Sequence, residues 1–187
     1  MILLMGVIEF SFMFNATLAI NFATRDASLI AAEAGSQSTA DCAILAKIEQ
    51  AIGAPVDKTK TATSGIQSVT IYKADRAGNS TGASNVYTRV STTPLSCTGF
   101  TPNPMPYTIG TNGYPTGLAA TGQTPLERCD ILAGCSATIP MDSIGVKIVY
   151  RYYFHTPLRN LVSFLPGASS GFLDFSWSNV MRMEPTL

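Results

Sequence analysis

A chain of 187 residues with 12 basic and 12 acidic side chains has zero formal net charge, which leaves no basic face for nucleic acid and no polybasic segment for an anionic membrane surface. Charged residues make up only 13% of the chain, against ~25% in an ordinary soluble domain, and mean hydropathy is positive at +0.21. The length suits one domain plus an anchor, and the shortage of charge points to contact with lipid or with copies of the same chain.

The first element runs from Met1 to Thr24 and carries one charge, Glu9. As a helix it measures ~36 Å at ~1.5 Å per residue, enough to cross a hydrocarbon core of ~30 Å. A cleaved signal peptide fits poorly, because no Lys or Arg precedes Arg25. A buried core helix fits poorly too, because the first turns are apolar all round. Polarity then rises through Arg25–Gln37, as expected where an anchor leaves the bilayer and continues as a packing helix. Residues 1–24 are therefore read as the membrane half of the helix, and 25–187 as the domain that follows it. Glu9 is then a costly intramembrane carboxylate that calls for a partner, the alternative being that it sits near an interface and snorkels, and Asn15 and Asn21 are candidates for hydrogen bonds between helices. Met1 begins abruptly inside the apolar run, and the expected true N-terminus lies upstream.

A second helix of about fifteen residues is predicted, with helical spacing over Cys42–Ile52, an N-cap near Ser38 and Thr39, Asp41 in its first turn, and Gly53 and Pro55 after it. Alternation in Gly65–Asp75 and Asn85–Val90, separated by turn-forming residues, predicts a hairpin. Residues 94–122 carry five prolines with several glycines and threonines, and read as an irregular surface-display insertion tied down by Tyr107, Tyr114 and a Cys97 bridge. A short helix is expected over Thr124–Cys135, with Pro125 at its first position. The strongest strand is Gly145–Pro157, whose faces are Val146, Ile148, Tyr150, Tyr152 and Phe154 against Lys147, Val149, Arg151, Tyr153 and His155. A short helix from Thr156 to about Leu165 follows, then a last strand, Phe172–Glu184, with Leu173, Phe175 and Trp177 on its apolar face. The fold class is α+β: a long N-terminal helix and a short second helix packed on an antiparallel β-sheet of about four strands.

Cys42, Cys97, Cys129 and Cys135 suit disulfides in an oxidising compartment, since no C-x2-C spacing exists and one histidine cannot complete a Cys2His2 set. Of the three possible pairings, Cys42–Cys97 with Cys129–Cys135 is favoured, because the second closes a short loop. No catalytic, metal or cofactor site is expected. No G-x-S-x-G elbow accompanies His155, Ser143 and Asp142 or Ser163, and no phosphate loop or calcium loop is present. The aromatic set Tyr150, Tyr152, Tyr153, Phe154 and Trp177 reads as sheet core or a subunit interface, with a ligand platform as the less favoured reading.

Three stretches carry a family resemblance. The run LLMGVIEFSFMFNATLAINFATRDASLIAAEAG resembles the start of TadE-like proteins, the minor pseudopilins of tight-adherence (Flp, type IVc) pilus systems. DCAILAKIEQAI is similar to their second helix, and VKIVYRYYFHTPL with FSWSNVMRMEP to their terminal strand–turn–strand. Glu9 matches the later glutamate of the family's apolar helix and not the early one near a prepilin-type cleavage position. The resemblance implies a pilin-like, single-pass membrane protein, with residues 1–24 as its transmembrane or filament-core half and 25–187 as a domain outside the cytoplasm, or a subunit of an extracellular pilus. Its expected partners are other pilin or pseudopilin subunits, pilus-assembly membrane proteins, and the bilayer through residues 1–24. Glu9, Phe10, Asn15 and Asn21 are the candidate bundle residues. Neither nucleic acid nor a small-molecule substrate is expected. The competing reading is a membrane-anchored binding module or adhesin that does not enter a filament.

Overall fold

The computed structural model describes residues 2–53, 56–59, 64–89, 94–116, 128–130, 135, 141–156, 168–169 and 171–183. Helix α1 spans Ile2–Ala34 and helix α2 spans Ala40–Ala51. They are followed by strands β1 (Gly65–Ala74), β2 (Ser80–Arg89), β3 (Tyr107–Asn112), β4 (Ser143–Tyr153), β5 (Ala168–Ser169) and β6 (Phe172–Arg182). The strands form one antiparallel sheet in the order β3-β2-β1-β4-β6-β5. This is the expected α+β architecture. The four anticipated strands are present, and β3 and the two-residue β5 extend the sheet at either edge.

Local chemistry explains the helices. Ser11, Thr17 and Thr24 return their hydroxyls to the carbonyls of Val7, Met13 and Ile20, so these polar groups are satisfied inside a helix with apolar surroundings. Gly35 ends α1 with a positive φ of 53°, and its N–H bonds back to Ala31. Thr39 occupies the N-cap of α2 but makes no side-chain cap bond. Asp41, expected to serve the first turn, points instead into the sheet.

Both helices cover one sheet face. Register places Val69 opposite Ile148 and Ile71 opposite Val146, and Val69 also opposite Tyr87, so these side chains share a face, and all are buried. On β6, Leu173, Phe175 and Trp177 stand opposite Tyr152, Tyr150 and Ile148 and are half-buried, while Asp174, Ser176 and Ser178 between them are exposed. The strict alternation anticipated for β4 and β6 is thus realised. On the other face, Gly145 stands opposite Tyr72 in register, and a Cβ there would lie 2.3–2.7 Å from the Tyr72 ring. Only glycine leaves room for that ring.

Three details differ from expectation. Strand β2 begins at Ser80, inside a stretch that reads as turn chemistry, because the turn itself is short: Asp75 accepts from the N–H groups of Ala77 and Asn79. Part of the Pro/Gly/Thr-rich insertion is regular. Tyr107–Asn112 pairs with β2, Leu95 bridges Met105, and Cys97, Met105, Tyr107 and Tyr114 are buried in the main core. The backbone ladder places β3, which carries too weak an alternation to stand out among the prolines. Helix α2 is 12 residues long, shorter than the fifteen or so expected, because it starts at Ala40 after a turn at residues 36–39. The helices expected over Thr124–Cys135 and Thr156–Leu165 lie outside the described residues, apart from 128–130, 135 and 156.

Both disulfides are formed, Cys42–Cys97 and Cys129–Cys135. The first ties α2 to the segment leading into β3. Near it, buried acids link α2 to the sheet. Asp41 accepts from Asn85 Nδ2 at 2.8 Å and from the Tyr87 hydroxyl, and it pairs with the fully buried Arg128. Two turns on, Glu49 accepts from the Tyr107 hydroxyl at 2.8 Å and from Arg89 Nε at 3.1 Å. Asp142, just before β4, pairs with Lys73 at 2.7 Å and accepts from the Tyr114 hydroxyl at 3.0 Å. Burial and the neighbouring carboxylates hold the phenols of Tyr87, Tyr107 and Tyr114 well above the usual tyrosine range.

Candidate functional site

Helix α1 is apolar on two opposite faces. Glu9, Ala16, Ile20, Ala23, Ala27 and Ala31 recur at steps of three, four or seven and are buried against the rest of the fold. The opposite stripe is Leu3, Val7, Phe10, Phe14, Leu18, Phe22 and Leu29, spaced the same way and exposed. Ten large apolar residues of α1 are at least 37% exposed, from Leu3 at 85% to Leu18 at 37%. The stripe from Leu3 to Phe22 is ~29 Å long at ~1.5 Å per residue, the thickness of a hydrocarbon core. Helix Leu3–Ala34 is long and apolar enough to cross a membrane. A continuous exposed apolar surface of this extent marks a site of contact with lipid or protein. Phe10 stacks on Phe14 one turn away, with centroids 6.2 Å apart.

Glu9 is 4% exposed and sits in a socket built by the end of β4 and the turn after it. Its carboxylate accepts from the Tyr152 hydroxyl at 2.5 Å, from the His155 N–H at 3.1 Å and from the Thr156 N–H at 2.8 Å. The partner that a carboxylate in this apolar helix demands is therefore this chain's own sheet. Burial first, then the Glu9 carboxylate, pushes the Tyr152 phenol upward.

The sheet thus grips α1 from Glu9 onward, further toward the N-terminus than the polarity gradient suggests. Polarity averaged along the chain mixes the two faces. The small residues that make the inner face, Ala16, Ala23, Ala27 and Ala31, are separated only when faces are read apart. Of the candidate bundle residues, Glu9 turns inward, while Phe10, Asn15 and Asn21 are exposed on the outside. Among the described residues, the side-chain amides of Asn15 and Asn21 find no hydrogen-bond partner within the chain, so they are open to a neighbour.

A cavity of about 200 Å³ opens beside the socket, between α1 and the end of β4. Phe12 and Ala16 form its helix wall, Tyr150, Tyr152 and Tyr153 its sheet wall, and Asp57, Ser64 and His155 its polar edge. Burial first, then Asp57, pushes the Tyr150 phenol up to about 12. His155 is exposed and packs edge-on against Phe12 and Tyr152. It lies beyond one end of β4 and Asp142 before the other, an 11-residue strand or ~36 Å apart at ~3.3 Å per residue, so the two do not form a triad. Sequence reading missed the acceptor role of Asp41 and the burial of Arg128. Neither has a local signal, because their partners are 44 to 87 residues away.

No family model, curated protein or solved structure matches the chain.

Proposed function

We propose that the chain is a structural subunit, a TadE-like minor pilin or pilus-assembly factor of a tight-adherence type IVc pilus system, held by its N-terminal helix and without enzymatic activity. The observation that carries this reading is the division of α1 into two apolar faces. One face is spent on the chain's own sheet, and the other remains exposed over the length of a bilayer. Covering ten partly exposed apolar side chains is worth on the order of 10 kcal/mol, so the stripe seeks lipid or neighbouring helices. Asn15 and Asn21 beside it supply side-chain amides of the kind that pair helices in apolar surroundings. Two disulfides fit a domain on the oxidising side of the membrane.

The test replaces Phe10, Phe14, Leu18 and Phe22 by serine, leaving the inner face intact. The wild-type chain is expected in the membrane fraction and, through cysteines placed at Asn15 or Asn21, to cross-link to pilin subunits. The quadruple variant should leave the membrane while keeping its circular dichroism. A wild-type chain that is soluble and monomeric without detergent overturns the reading. Membrane retention without any cross-link to pilin subunits favours the anchored binding module instead.

A further inference from the structure

The cavity between α1 and β4 has a chemical character that a filament subunit does not require. Its walls are aromatic: Phe12 from the helix, and Tyr150, Tyr152 and Tyr153 from the strand. At its edge stands Asp57, whose carboxylate is fixed by the Thr59 N–H and the Ser64 hydroxyl, each at 2.9 Å. Behind the Tyr152 wall lies Glu9, whose three bonds come from neutral donors. Among the described residues, neither carboxylate takes part in an ion pair, although six such pairs occur elsewhere.

Among the described residues, two carboxylates without an ion-pair partner, the exposed Asp57 and the buried Glu9, stand beside an aromatic lining and give the cavity a negative character with apolar walls. An anion is repelled there. A hard divalent cation asks for several oxygen ligands, and the described residues hold no group of three or more His, Cys, Asp or Glu side chains placed for one. What remains is a cation that is weakly hydrated and tolerant of ring faces. We propose that this cavity binds a small organic ammonium group, with Asp57 as its counter-charge and Phe12, Tyr150 and Tyr153 as its walls. At about 200 Å³ the space suits a headgroup-sized amine. Phe12 and His155 at its mouth are both exposed, so a free amine can reach it from water, and a lipid headgroup amine can reach it in any arrangement that keeps the end of β4 out of hydrocarbon.

The test uses the full chain in a maltoside detergent, which carries no ammonium group. Choline is titrated calorimetrically against 3,3-dimethyl-1-butanol, its uncharged isostere. Choline should bind about tenfold more tightly than the isostere, as expected for a cation over ring faces beside a carboxylate. Asp57→Asn and, independently, Tyr153→Leu should each weaken choline by about fivefold or more, whereas Asp26→Asn, the same charge change on α1, should not. Glycerophosphocholine separates the sources: tighter binding than choline assigns a lipid headgroup, and equal or weaker binding assigns a free amine. Equal binding of choline and the isostere, no binding of either, or choline affinity untouched by both cavity variants overturns the proposal.

Discussion

Replacing Glu9 by alanine asks how firmly the N-terminal helix is fastened to the sheet. The carboxylate is 4% exposed and accepts three hydrogen bonds, one from a phenol and two from backbone N–H groups. Bonds to an ionised acceptor contribute ~1.5–3 kcal/mol each, but burying the carboxylate costs several kcal/mol in return. The two backbone donors are partly buried, so water takes over some of their bonding once Glu9 is gone. Net destabilisation for Glu9→Ala should therefore fall near ~3 kcal/mol. Glu9→Gln keeps one carbonyl oxygen for at most two of the three donors and should lose ~1–2 kcal/mol. A cycle with Tyr152→Phe should give a coupling of ~1 kcal/mol or more, because the two groups touch directly. Urea unfolding of the full chain in micelles measures the totals. Amide exchange at His155 and Thr156 reads the socket itself, and both amides should exchange faster in the alanine variant. Wild-type stability to within ~0.5 kcal/mol, together with unchanged exchange at both amides, would refute a fastened helix.

Four further outcomes are expected. Replacing Cys42 and Cys97 by alanine should cost ~4 kcal/mol, against ~2 kcal/mol for Cys129 and Cys135, because the first pair spans 55 residues and the second 6; urea midpoints measure the difference, and unreduced mass should lie about 4 Da below the reduced chain. Gly145→Ala should destabilise by ~2 kcal/mol, since the added methyl meets the buried Tyr72 ring, and Tyr72→Ala in the same chain should relieve part of that cost in a double-mutant cycle. Asp41→Asn should cost ~3–5 kcal/mol in urea unfolding, because it leaves Arg128 buried without its counter-charge. Raised phenol pKa values at Tyr87, Tyr107, Tyr114, Tyr150 and Tyr152 favour the protonated ring in the folded state, so their contribution is intact below pH ~10 and is lost as pH climbs through the folded values. Tyrosinate absorbance at these rings should then rise together with loss of circular dichroism above pH ~10; reversible ionisation with the fold intact would contradict it.

The parts legible in the sequence are those with a strong period. The apolar run of α1, the alternation of β4 and β6 and the hairpin of β1 and β2 each repeat a rule over six residues or more, and each element lies where its period is, with β2 starting earlier than its period, at Ser80. Strand β3 was hidden because its placement comes from pairing with β2 and from the burial of Tyr107 and Met105, which are tertiary events. The same holds for the site. A lone carboxylate in an apolar helix announces that it needs donors, so Glu9 was legible as a residue with a partner. That the partner would be Tyr152, 143 positions on, was not, because no local pattern encodes which end of which strand lies beside the second turn of α1. The cavity was hidden for a related reason: β4 supplies three of its tyrosines in a row that reads as core, and only the approach of Phe12 and Asp57 turns that row into a wall.

If the chain is the filament subunit proposed above, the two faces of α1 constrain how it would move from membrane to filament. If residues 3–22 crossed a bilayer while the sheet stayed docked, the end of β4 and the Glu9 socket would enter hydrocarbon with them. If the helix crossed alone, Glu9 would leave Tyr152, His155 and Thr156 and stand in lipid without donors, a cost of ~2.5 kcal/mol or more for an acidic group at a helix centre. Inner-face residues Ala16, Ile20 and Ala23 would trade sheet contacts for lipid, a nearly even exchange for apolar groups. Glu9 is thus the residue that most strongly separates the two arrangements. Neighbouring helices that cover the Leu3–Phe22 stripe remove the need for lipid without disturbing the socket. Assembly would then be favoured because it lets the outer face be buried while Glu9 keeps all three donors, which a single subunit crossing the membrane with a free helix does not.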